Sequence, residues 1–184
     1  MIRIARWSKT GLVSVVALLA GVVASFTHPV LSADSTKPTS CVAPEYRQFD
    51  FWAGDWDVFD IDNPATRVAL TRVDRILDGC VLRENYQGTN GAQGQSFSIY
   101  DASRKIWHQS WVTNRGQLLI IEGAMQVGEM VLTGMDHTAS GEERLVRGMW
   151  KPVEGGVRET AVTSSDGGKT WRPWFDLMFR PHKP

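Results

Sequence analysis

Beyond residue 44 the chain never runs far without a break. The breaks include Asp62-Asn63-Pro64, Asp78-Gly79, Asn90-Gly91, Asp101-Ala102-Ser103, Asn114-Arg115-Gly116, Gly128 and Gly155-Gly156. Asp-Gly, Asn-Gly and Gly-Gly pairs accept positive φ and close tight hairpins. The segments between them are short and rich in β-branched and aromatic residues. In order they are Gly54–Ile61, Arg67–Leu77, Val81–Gln87, Gln95–Asp101, Lys105–Thr113, Gln117–Met125, Glu129–Met135, Glu143–Trp150, Gly156–Ser164 and Thr170–Arg180. About ten such segments, with no long helical period between them, predict an all-β chain whose neighbours pair antiparallel in order. A sheet this wide leaves exposed edges unless it closes or splits. The reading is an up-and-down β-barrel, with a sandwich as the alternative.

The stretch Phe49–Asp60 places five aromatic rings in twelve residues and changes period partway. Phe49, Trp52 and Ala53 have helical spacing, whereas Trp56, Asp57, Val58, Phe59 and Asp60 follow strand logic. Gly54 lies between the regimes, where a residue without Cβ can make a corner. A short plug helix running into the first strand is expected.

The N-terminus has the pattern of an export signal. Arg3, Arg6 and Lys9 precede an apolar run from Gly11 to Phe26, and Leu31-Ser32-Ala33 offers a cut before Asp34. The run is shorter than the roughly 20 residues that span a bilayer; an uncleaved anchor is the alternative. Residues 1–33 thus read as a cleaved signal peptide, 34–43 as a Ser/Thr/Pro linker and 44–184 as one domain. A periplasmic or secreted location follows, with no membrane contact after cleavage. In such an oxidising compartment Cys41 and Cys80 are expected to pair, the alternative being two separate buried thiols. A formal net charge of zero gives no reason to expect a nucleic-acid partner.

Three segments alternate informatively. Leu82, Glu84 and Tyr86 share one face; Trp107, Gln109 and Trp111 share another; Leu145, Arg147 and Met149 lie opposite Arg144, Val146, Gly148 and Trp150. Faces that mix large aromatics with one polar group suit a ligand-holding interior, or a core around one satisfied polar pair. A one-residue slip would exchange the faces. Glu84 and Arg147 stand mid-strand among apolar residues. Within a barrel they would need each other and could form a polar floor; a surface pair is the plainer alternative. The candidate cavity set is Glu84, Trp107, Gln109, Trp111 and Arg147.

Two resemblances follow from particular residues. Gly54-Asp55-Trp56, after a short helix and opening the first strand, resembles the Gly-x-Trp signature of lipocalins and the wider calycin group. That resemblance implies structural roles for Trp56 and for a basic residue of the last strand stacked on it, here Arg180. The pieces Phe49–Val58, Leu77–Asn85, Tyr100-Asp101, Trp107–Val112, Arg147 with Trp150, and Asp166–Trp171 resemble an uncharacterised bacterial family of exported domains, which brings no established activity. Ser164–Trp171 also fits the Asp-box pattern of sialidase propellers, in which the aspartate caps a hairpin. One copy cannot make a propeller, so Asp166 is expected to cap the turn before the last strand.

The sequence carries few residues in patterns that chemistry requires. Gly94-Gln95-Ser96-Phe97-Ser98 misses a nucleophile elbow, no phosphate loop occurs, and no histidines have the paired spacing of a metal site. His108, between tryptophans, is a candidate base or a hydrogen-bonded structural residue. His182 is placed like the late haem-ligating histidine of nitrobindins, but its tail setting between prolines argues for a solvated end, and no cofactor is expected. The expected function is non-catalytic binding of a small, largely apolar molecule. The alternatives are an enzyme using a cavity acid or His108, and an interaction module with a filled barrel. A perturbed acid or histidine inside the cavity would favour the enzyme.

Overall fold

In the computed structural model, residues 41–138 and 140–183 are described; the signal-peptide assignment and most of the 34–43 linker lie outside them. Ten antiparallel strands form one closed meander: β1 Gly54–Asp60, β2 Asn63–Ile76, β3 Val81–Gly88, β4 Gln93–Asp101, β5 Ile106–Thr113, β6 Leu118–Gln126, β7 Glu129–His137, β8 Glu143–Val153, β9 Gly156–Ser164 and β10 Arg172–Pro181. Each strand pairs with its neighbours in sequence, and β1 closes on β10 with Trp56 opposite Pro181 and Val58 opposite Phe179. Closure leaves no free edge, so an up-and-down barrel rather than a sandwich is the outcome. The last strand starts at Arg172 rather than Thr170, because Thr170 belongs to the preceding turn.

The plug consists of two 3-10 turns, Pro44–Arg47 and Asp50–Trp52, ahead of β1. Its side chains explain the aromatic density of the sequence. Phe49, fully buried, stacks on Trp52 at 5.1 Å and meets Trp107 and Trp150 edge-on at 5.7 and 5.4 Å. Offset and edge-to-face pairs of this kind are favourable beyond the area they bury. Trp107 also donates its indole N–H to Gln48 Oε1 at 3.1 Å. The plug is then fastened to the barrel wall. Cys41 and Cys80 form a disulfide, joining the start of the plug to the corner between β2 and β3. Arg47 donates to the carbonyls of Cys41 and Gly79 across the same corner.

Trp56 is structural, but its partner is not Arg180. Its indole N–H donates to Trp52 O at 2.9 Å, tying the first strand to the plug. Gly54, at φ +152°, makes this possible, since a Cβ there would press on the indole at 3.2 Å. Arg180 stands opposite Asp57, and Asp57 points outward where Trp56 points inward. The guanidinium therefore stacks on the outer ring of Phe59 at 4.4 Å and donates to Pro64 O. Strand parity separates the two residues that the calycin resemblance would join.

The turn before β10 is as expected. Asp166 Oδ1 accepts the N–H groups of Lys169 and Thr170 and the Ser164 hydroxyl, and Oδ2 accepts the Thr170 hydroxyl. These bonds, the Thr170 hydroxyl foremost, hold the Asp166 carboxyl far below the usual range.

A candidate ligand cavity in the barrel lumen

The plug fills one end of the barrel, and the other end is hollow. A cavity of about 410 Å3 runs inward from the mouth formed by the β3–β4 and β5–β6 turns. Its inner limit is the Trp150 and Phe179 rings above the plug. Its walls come from alternate residues of the strands that line it, because successive side chains point to opposite faces. From β3 come Glu84 and Tyr86; from β5, Gln109 and Trp111; from β9, Glu159 and Ala161; from β10, Phe175, Leu177 and Phe179. Two local devices shape it. Gly94 lies under Trp111 so closely that a Cβ would fall 2.3 Å from the ring, so this glycine lets the indole lie flat in the lumen. A bulge between Pro173 and Phe175 shifts the register of β10 and puts Trp174 at the mouth, where Arg144 stacks on it at 4.7 Å.

The polar groups occupy one level between plug and mouth. Glu84, 6% exposed, accepts the Ser96 hydroxyl at 3.0 Å. Gln109, on β5, donates to Ser98 at 2.9 Å. Glu159 faces Glu84 across the lumen, between Trp150 on β8 and Leu177 on β10. Burial raises the Glu84 carboxyl to about 7, against the pull of the Ser96 bond. Burial, and then the charge of Glu84, push Glu159 well above the ordinary carboxylate range. Burial and both glutamates also raise the Tyr86 phenol. The Trp150 indole N–H faces Glu159 and favours its charged form, yet completes no well-formed hydrogen bond. Arg115, exposed at the mouth, is the one basic residue lining the cavity among those described.

The structure divides the candidate set. Glu84, Gln109 and Trp111 line the cavity. Trp107 points inward but belongs to the plug contacts. Arg147 lies outside the barrel: Val146, Gly148 and Trp150 hold the inner positions of β8, so the residue between them faces out. Its guanidinium stacks on Trp171 of the Asp166 turn at 4.1 Å. The polar floor of Glu84 and Arg147 is therefore corrected: the charged group sharing the lumen with Glu84 is a second acid, Glu159. Alternation of Val157, Glu159 and Ala161 against Arg158 carried that signal in the sequence. His108 is also on the outer face, with Nδ1 2.8 Å from Glu122 Oε1, and is the structural histidine rather than a cavity base. His182 pairs with Asp57 outside the barrel. Among the described residues no group of three or more His, Cys, Asp or Glu side chains could hold a metal ion.

Compared with protein-family models and with curated proteins, the chain matches neither.

Proposed function

We propose that this is an exported, calycin-like barrel that binds a small, largely apolar molecule in its lumen. The supporting observation is the cavity of about 410 Å3, blocked at one end by the plug, walled by aromatic side chains and opening at a mouth ringed by turns. Pockets of this size and lining bury most of a small ligand and use a few polar groups to orient it. The leader-like residues 1–33 and the disulfide support a periplasmic or secreted setting. Native mass spectrometry of protein purified from the cell envelope, with titration by the fluorescent apolar probe N-phenyl-1-naphthylamine, tests the reading. Retention of a small molecule, or saturable probe binding abolished by Ala161→Phe, is the expected result. A protein that carries nothing and binds no apolar probe would refute it.

A second reading is an acid–base enzyme working in the same lumen. The observation that favours it is Glu84, whose carboxyl titrates at about 7 beside the Tyr86 phenol, a value suited to proton transfer at neutral pH. Turnover of the retained molecule by the native protein but not by Glu84→Gln would decide for this reading. Release of the molecule unchanged over repeated binding cycles would decide against it.

A further inference from the structure

We infer that the lumen is built for an organic cation: a ligand whose apolar body lies against the indoles and whose ammonium group sits between Glu84 and Glu159. The inference rests on the binding reading above and adds the charge of the ligand to it.

The argument starts from what surrounds the two carboxyls. Facing them are the Tyr86 hydroxyl from β3, the Ser96 hydroxyl from β4, Gln109 from β5 and the Trp150 indole from β8. Leu177 and Phe179 face them from β10, and Val73 stands beside Glu84 on β2. None of these is a base. The basic residues at this end are engaged elsewhere or out of reach: Arg144 pairs with Asp136 at 2.9 Å, and Arg115 is exposed at the mouth. Two acids thus share an apolar lumen without a counter-charge from the protein. An uncompensated buried carboxylate is expensive, so the lumen favours the protonated form of both carboxyls until a positive group enters.

An ammonium group supplies that charge, and the surrounding rings suit it. Trp111, Tyr86 and Trp150 present aromatic surface around the acids. Alkylated ammonium groups bind well over such surfaces once desolvated. Trp150, 3% exposed and lining the cavity, points its N–H at Glu159 and favours the charged form of that carboxyl. A cation that holds Glu159 ionised strengthens this contact. Where both carboxyls hold their protons, binding of the cation releases one proton to solvent and the carboxylate left behind balances the ammonium charge, so each cation bound releases up to one proton.

Benzyltrimethylammonium and its uncharged isostere neopentylbenzene test the inference on the full chain. Binding is followed by tryptophan fluorescence and by calorimetry in two buffers of different ionisation enthalpy. Near pH 8 the cation should bind at least about 30-fold tighter than the hydrocarbon, a factor within reach of one desolvated charge contact. The preference should shrink as the pH falls to about 5, and proton release should be measurable between those limits. Glu159→Gln should weaken the preference and Glu84→Gln/Glu159→Gln should abolish it, while both variants still bind neopentylbenzene. The pH series and proton count need no variant, so they stand even if the double substitution does not fold. Equal binding of the two probes, or tighter binding of the hydrocarbon at high pH, overturns the cation inference and leaves the apolar lumen intact. Binding of neither probe overturns both.

Discussion

The acid pair makes a prediction about stability that does not depend on any ligand. Glu84 titrates at about 7 in the folded barrel against the ordinary glutamate value of 4.5. A carboxyl raised by folding binds protons more tightly in the native state, so stability is complete below the unfolded value and declines as pH rises through the folded one. The window therefore runs from about pH 4.5 to about 7. At about 1.4 kcal/mol per pH unit, the loss from Glu84 alone is about 3 kcal/mol, and Glu159 adds to it with the same sign. For a domain of this size that is roughly 10 °C in Tm. Surface carboxylates held low by arginines act oppositely, as Glu122 does beside Arg104 and Asp74 beside Arg72, but their effect lies below about pH 4.5. Chemical denaturation followed by tryptophan fluorescence at intervals from about pH 5 to 8 measures the slope. Glu84→Gln keeps a partner for Ser96 without the charge. It should be more stable than the native protein near pH 8 and similar to it near pH 5, and the double glutamine variant should be nearly flat. A double variant that keeps the native slope would refute the argument, because the titrating groups would then lie elsewhere.

Further expectations follow from single contacts. Replacing Cys41 and Cys80 by serine opens a 39-residue loop and should cost about 4 kcal/mol by denaturant titration; alkylation of the unreduced, unfolded protein should label no thiol, and its N-terminus should be Asp34. Phe49→Ala removes the ring on which the plug is assembled and should cost about 3–5 kcal/mol by the same titration. Arg147→Ala should cost about 1–2 kcal/mol, as expected of a half-buried ring contact, and should leave the affinity for N-phenyl-1-naphthylamine unchanged. Gly94→Ala should displace Trp111, seen as a changed near-ultraviolet circular dichroism signal and weaker binding of the same probe.

The strands were legible because their ends carry residues that can hardly be anywhere else. Asp78-Gly79, Asn90-Gly91 and Gly155-Gly156 all lie in or beside turns with positive φ. The inner face was open from the sequence even on β5, where Trp107-x-Gln109-x-Trp111 stands against Ile106, His108, Ser110 and Val112; bulky rings around one amide made the first face the better candidate for a lumen. The inner face was not legible on β8, where both faces mix apolar residues with an arginine, Arg144 on one and Arg147 on the other. What decides between them lies outside the segment: Arg144 has Asp136 and the bulge residue Trp174 at the mouth, whereas Arg147 has Trp171 in a turn. The Trp56–Arg180 contact failed for a related reason, since a motif transfers a pair of residues without their parity.

The inward residues of single strands show why the polar level falls where it does. Along β5 the inner positions are Trp107, Gln109, Trp111 and Thr113, which belong in turn to plug, polar level, wall and mouth. Along β3 the same order is Leu82, Glu84 and Tyr86; along β9 it is Val157, Glu159 and Ala161. In each strand the first inner residue packs on the plug cluster and the next is polar. The plug thus fixes the depth at which the polar groups stand: moving it by one residue pair would place Gln109, Glu84 and Glu159 against Phe49 and Trp52. The disulfide and Arg47, which hold the plug at the β2–β3 corner, therefore also set the level of the acids. Loosening that corner should alter the pH dependence of stability, whereas a change at the mouth, such as Trp174→Ala, should leave that dependence alone and lower stability only by the Arg144 ring contact.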